Sequence, residues 1–138
     1  MNKSSAHGVK RERKKSLFLQ EIILIFRELS VDPRLSKSDA EALSKVFVNR
    51  VDLSADGGIC YVFFATYKEP GQEIFNEAFK ALRYFSKTMR HAFAQRVQAR
   101  YTPNFIFLYD AVKEKERRIE ELLDRVAAEI PKDDKPET

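Results

Sequence analysis

The stretch Ile59–Tyr67 reads ICYVFFATY, nine residues with almost no polar side chain. Its branched and aromatic content favours a strand. A strand this apolar has no face to give to water, so it belongs at the centre of a sheet, buried on both sides. Lys45–Leu53 precedes it, with Val46, Val48, Val51 and Leu53 as apolar positions, and Ser54-Ala55-Asp56-Gly57-Gly58 supplies the turn of an antiparallel hairpin. Asn104–Tyr109 (NFIFLY) is a third strand.

Helices account for the rest. In Ser16–Leu29, Phe18, Ile22, Ile25, Phe26 and Leu29 share one face, and Leu17, Ile23 and Leu24 widen the stripe. Asp32-Pro33 ends it. Ser38-Asp39-Ala40-Glu41 has the capping-box pattern of a short helix through Leu43. From Gln72 to Arg100, the residues Phe75, Phe79, Leu82, Phe85 (or Ser86), Met89, Phe93 and Val97 recur every three or four positions, until Thr102-Pro103 stops the helix. Val112–Ile130 is a last helix with Ile119, Leu122, Leu123, Val126 and Ile130 on one side. The expected fold is α+β: helix, strand, strand, helix, helix, strand, helix, with the helices packed on one face of a three-stranded sheet. The domain spans 16–130, between a flexible basic arm (1–15) and a disordered tail (131–138).

Charge is unevenly spread. No Asp or Glu occurs from Ala78 to Tyr109, 32 positions in which the chain's own acid frequency of 21 in 138 would place about five. Lys80, Arg83, Lys87, Arg90, Arg96 and Arg100 lie in this window, interleaved with Phe79, Tyr84, Phe85, Phe93 and Tyr101. Uncompensated positive charge attracts phosphate; the duller alternative is a net-basic chain that placed its acids elsewhere. At 100° per residue, Lys80, Arg83, Lys87 and Arg90 share one narrow arc, whereas Arg96 and Arg100 land on the apolar arc. A straight helix would bury those two, so a break near Ser86–His91 is expected, giving two helices and turning Arg96 and Arg100 outward. Arg34 and the arm's Lys10, Arg11, Arg13, Lys14 and Lys15 are secondary candidates. The Phe residues are read as core, and Tyr84 and Tyr101 as the better stacking candidates.

Other chemistry finds little support. Four glycines, Gly8, Gly57, Gly58 and Gly71, permit neither a dinucleotide fingerprint nor a Walker loop. His7 and His91 stand apart, so no His/Cys metal cluster can be built. Asp52 and Asp56 flank a turn, where carboxylates usually cap. Cys60, the single cysteine, reads as a core hydrophobe, excludes an internal disulfide and fits a reducing cytoplasm. The run Leu17–Phe26 is broken by Gln20 and Glu21 and cannot span a bilayer. No enzyme, cofactor, metal, membrane or small-molecule substrate is expected.

The order of elements resembles a type II KH-like RNA-binding domain, α-β-β-α-α-β plus a C-terminal helix. Four strings resemble the bacterial ribosome-binding factor A family. They are Val31-Asp32-Pro33-Arg34-Leu35 after the first helix, and Val51-Asp52-Leu53-Ser54-Ala55-Asp56, similar to V-E-V/M-S-x-D. Arg100-Tyr101-Thr102-Pro103-Asn104-Phe105-Ile106-Phe107-Leu108-Tyr109-Asp110 is similar to R-x-x-P-x-L-x-F-x-x-D, and Arg118-Ile119-Glu120-Glu121-Leu122-Leu123 to R-I-x-E-L-L. They occur in the family's order, over about 16–127. Two departures stand out. Ser36–Ser44 is longer than the usual link, and the family's Ala-x-Gly kink element is replaced by Phe85-Ser86-Lys87. The resemblance implies a non-catalytic assembly factor that binds the free 30S small ribosomal subunit, and a monomer is expected. It implies action late in 16S rRNA maturation, including 5′-end processing of the precursor, chiefly in the cold. A KH-like module for another RNA, a protein-interaction domain using the acidic C-terminal helix, and a nucleic-acid enzyme using Asp52 or Asp56 are the alternatives.

Overall fold

The computed structural model describes residues 3–98 and 100–129. Along the chain come α1 (Lys3–Ser30), α2 (Lys37–Leu43), β1 (Val46–Leu53), β2 (Ile59–Thr66), α3 (Gly71–Arg96), β3 (Asn104–Tyr109) and α4 (Ala111–Glu129). The apolar strand β2 lies at the centre of the sheet, antiparallel to β1 and parallel to β3. This is the α+β class and three-stranded sheet that the sequence implies.

Burial of β2 is one-sided up to Phe64, after which Ala65 on the other face is buried as well. Cys60, Val62 and Phe64 are buried, while Ile59, Tyr61 and Phe63 are half-buried. Burial on both faces was the expectation, and topology corrects it. The parallel β2–β3 pair requires a crossover, α3, which covers one face, and α1 packs on that same face. Phe64 meets Phe26 of α1 at 5.2 Å, Phe75 of α3 at 6.0 Å and Phe107 of β3 at 5.8 Å between ring centroids. Phe93 joins Phe18 at 4.7 Å to Phe105 at 5.4 Å. Rings of this size contribute about 1.5–3 kcal/mol each on burial, so this aromatic spine holds α1 and α3 to the sheet. The opposite face keeps Ile106 and Leu108 exposed.

The helices differ from the sequence reading in three main respects, besides α3 ending at Arg96 where Arg100 was expected. The helix expected to start at Ser16 starts at Lys3. Ala, Lys, Arg and Glu favour helix through this segment, and Gly8 within it costs about 1 kcal/mol. Arg11 also donates to the Leu53 carbonyl and Lys15 Nζ lies 3.1 Å from Asp52 Oδ1, tying these turns to the hairpin. In α2 the cap is Ser36, whose hydroxyl accepts from the Asp39 N–H at 3.0 Å, two residues before the expected Ser38.

The third difference is the break near Ser86–His91, which is absent. Phe85, Ser86 and Lys87 lie inside one continuous α3. Sharp kinks arise at Pro, at Gly or Ser pairs, or where a group invades the backbone ladder, and this stretch has neither Pro nor Gly.

Where α3 begins, Tyr109 crosses over Gly71: a Cβ there would meet the ring carbon Cζ at 2.8 Å and Thr66 Oγ1 at 3.0 Å. Glycine is required by this close approach.

Asp110, fully buried, ends β3 and starts α4. Its carboxylate accepts from Asn49 Nδ2 at 2.8 Å, Arg50 Nε at 2.9 Å and the Lys113 N–H at 3.2 Å. Asn49 sits at a bulge between Val48 and Arg50. Further along α4, Arg117 donates to the Thr66 carbonyl at 2.9 Å. Beyond Arg118 every described side chain of α4 is exposed. Ile130 and the tail 131–138 lie outside the described residues.

Candidate nucleic-acid interface

The 3-4-3 spacing of Lys80, Arg83, Lys87 and Arg90 places them along one face of α3, and all four are exposed. The apolar positions on the opposite side, Phe75, Ala78, Leu82, Met89 and Phe93, are buried against the sheet and α1, so the cations have no alternative but solvent. Lys87 has no acceptor among the described residues. Arg83 lies with its guanidinium carbon 5.5 Å from the Tyr84 ring centroid. Lys80 is partly neutralised, with Nζ 2.8 Å from Glu77 Oε2. Arg90 donates to the Thr102 carbonyl at 3.2 Å. That bond brings the end of the strip to the loop carrying Arg100 and Tyr101, both exposed, with the Arg100 guanidinium carbon 5.6 Å from the Tyr101 ring.

Arg96 is not part of this surface. The straight-helix arithmetic placed it on the apolar arc, and there it stays, facing α1. Its Nε donates to Glu21 Oε1 at 2.7 Å and its Nη1 reaches Glu28 Oε1 at 3.5 Å. The Glu21 hydrogen bond raises the guanidinium's pKa above its usual value. The expected outward turn is thus corrected, because a charge on an inward face can be matched by an acid across the interface instead of a kink. The sequence did carry a signal for this pair. Glu21 interrupts an apolar run in α1 just as Arg96 interrupts the apolar arc of α3.

The secondary candidates divide. Arg34 is exposed but clamps Asp32, with Nη2 2.8 Å from Oδ2 and Nε 3.1 Å from Oδ1. Those bonds bring the Asp32 carboxyl down to about 2. Lys15 is held by Asp52 at 3.1 Å and Glu12 at 3.4 Å, and Arg11 by the Leu53 carbonyl. Lys14 stays exposed, 5.6 Å over the Phe18 ring, and Lys10 and Arg13 are exposed with no acceptor among the described residues. The geometry therefore brings together Lys80, Arg83, Lys87, Arg90 and Arg100 as one strip. It leaves Lys10, Arg13 and Lys14 on α1 and commits Arg96, Arg34, Arg11 and Lys15 to acids or carbonyls of the protein itself. The Asp110–Arg50 pair was not foreseen, although Asp110 marks the end of the acid-free window.

The carboxylates of the hairpin turn serve the backbone. Asp56 accepts from the Gly58 N–H and the Ser54 hydroxyl, both at 2.9 Å, and these bonds lower its pKa. Asp52, bound to Lys15 and the Leu53 N–H, is also lowered. Burial pushes the Cys60 thiol up to about 12, far from a nucleophile's range. Among the described residues no group of three or more His, Cys, Asp or Glu converges, and no helix is long and apolar enough to cross a membrane.

Ribosome-binding factor A of Neisseria meningitidis (serogroup C) is 27% identical over 134 residues, covering 97% of this chain and 100% of that one. The Moorella thermoacetica protein of the same name is 33% identical over 109 residues, 79% of this chain and 83% of its own. The crystal structure of ribosome-binding factor A from Thermus thermophilus superposes with a TM-score of 0.55 at 24% identity, over 72% of this chain and 93% of that one. The solution structure of a Thermotoga maritima putative ribosome binding factor A gives 0.50 at 23%, over 68% and 84%. At those identities the structural likeness speaks for the fold. The sequence model described as Ribosome-binding factor A matches residues 10–123, and with that span and these relatives the chain belongs to the ribosome-binding factor A family.

Proposed function

We propose that the chain binds the free 30S small ribosomal subunit through its 16S rRNA and assists late maturation of that RNA, including 5′-end processing of the precursor. It acts as a cytoplasmic monomer without catalysis of its own, and its contribution is greatest in the cold. Family membership supports the ribosomal partner. The observation that carries the mode of binding is the strip on α3, where Arg83, Lys87 and Arg90 stay free of carboxylates among the described residues and lead into Arg100. Phosphate contacts fix position, and the shape of the RNA supplies selectivity.

Counterion release gives the test. Four phosphate contacts make log K fall with log salt at a slope of about −3 to −4. Replacing Arg83, Lys87 and Arg90 with Glu is expected to abolish co-sedimentation with free small subunits while the circular dichroism spectrum is kept. Undiminished co-sedimentation would sink the assignment of this face.

A protein-interaction reading has one observation in its favour. Ile119, Leu122, Leu123 and Val126, spaced i, i+3, i+4, i+7 on α4, are 48–61% exposed. Replacing Leu122 and Leu123 with Ser tests it. Loss of subunit binding with retained affinity for protein-free rRNA favours a protein partner, and equal binding of both removes that reading.

A further inference from the structure

Most aromatic rings in the acid-free window have apolar company. Phe93 is buried, Phe85 is partly buried against the core, and Phe79 sits 5.8 Å from Phe75. Tyr84 and Tyr101 do not. They are 71% and 70% exposed, and neither has an aromatic partner among the described residues. Tyr67 is also exposed, at 67%, but rests 4.8 Å from Phe47. Two unpacked rings contribute little to the stability of the fold, so their place matters. Tyr84 follows Lys80 by four and precedes Lys87 by three, which sets it between those cations on the exposed face of α3. Tyr101 adjoins Thr102, whose carbonyl binds Arg90, at the other end of the same strip. Each ring also has a guanidinium alongside, Arg83 at 5.5 Å and Arg100 at 5.6 Å.

Tyrosine offers a flat surface of low conformational freedom, and a nucleobase stacks on it whatever its identity. A base inside a duplex has its faces occupied by its neighbours, so this contact is open to unpaired or extruded nucleotides. We propose that Tyr84 and Tyr101 are two base-stacking platforms that make the α3 strip prefer unpaired nucleotides over duplex RNA. The proposal rests on the phosphate-binding role of the strip. The cations hold the backbone, and the two rings, at its middle and its end, capture bases that leave it.

The test uses the full chain with two fluorescent probes, an unstructured RNA strand of about 12 nucleotides and an RNA duplex of the same length. Replacing both tyrosines with Ala is expected to weaken binding of the single strand about 25-fold, roughly fivefold per ring, with the salt slope unchanged. Duplex binding should stay within about twofold, and Tyr84→Phe with Tyr101→Phe should restore single-strand binding, because stacking needs the ring and not the hydroxyl. Equal losses on both probes, no loss on either, or failure of the Phe variants would overturn the platforms while leaving the strip intact. The strip is judged separately by Arg83→Glu with Lys87→Glu, which should weaken both probes. If the wild type binds neither probe in a salt-dependent way, the strip reading fails and the platforms with it.

Discussion

Removing the Asp110 carboxylate should cost the domain several bonds at once. That carboxylate is 1% exposed and holds Asn49, two of the guanidinium nitrogens of Arg50 and the first turn of α4. Three contributions disappear in Asp110→Ala. The lost helix cap is worth about 1 kcal/mol, and the hydrogen bond from Asn49 about 1 kcal/mol more. The Arg50 pair would be worth more if fully buried, but its guanidinium side is 42% exposed and still rests 3.7 Å over the Phe63 ring, so solvent screening leaves about 1 kcal/mol. The total is about 3 kcal/mol. Asp110→Asn keeps an oxygen that can cap or accept, so it should cost about 1 kcal/mol.

The pH dependence of the same group has a definite sign. Burial alone would raise the carboxyl, but the bonds from Arg50 and Asn49 outweigh it and hold the group below its ordinary value. A carboxylate lowered on folding stabilises in full above the unfolded value near 3.9 and loses that contribution as pH falls through the folded value. Urea unfolding of the three proteins at pH 7, and again across the acid range, reads all of this. Equal stability of the Ala and Asn variants, or an Ala variant within about 0.5 kcal/mol of wild type, would refute the reasoning.

Two further outcomes follow from the packing. Arg96→Ala should leave RNA affinity within about twofold and cost at most about 1 kcal/mol of stability, since its partners are the α1 acids and the pair is solvent-screened; titration of labelled RNA checks the first and urea unfolding the second. Gly71→Ala should destabilise by more than about 1 kcal/mol because the new methyl collides with the Tyr109 side chain, and Tyr109→Phe in the same chain, which removes the nearest clashing atom, should recover part of the loss in a thermal melt.

Elements were legible where hydrophobic period and breakers agree. Asn104–Tyr109 emerges with its expected bounds, and the β1–β2 hairpin within a residue of them. The strip on α3 was legible for the same reason, because four cations at 3-4-3 spacing on a helix must share a face. Arg96 shows the limit. Its angle on the helix was right and its environment was inferred wrongly, since periodicity reports which way a side chain points and not what stands opposite. The arm shows another limit. Lys14 and Lys15 are adjacent and alike in sequence, yet Lys14 remains exposed while Lys15 is claimed by Asp52, a residue of a strand far along the chain.

The α+β class, the central place of β2 and the acid-free basic face of α3 could be read from the chain because they depend on period, composition and local backbone preference. Tertiary structure alone decided which cations stay available. A Lys or Arg is a weaker phosphate ligand where a carboxylate of the protein already holds it, and the carboxylates that hold Arg96, Lys15 and Arg50 come from other elements. Tertiary structure likewise decided that one face of the sheet stays partly open, since a single crossover helix and α1 suffice to cover just the other.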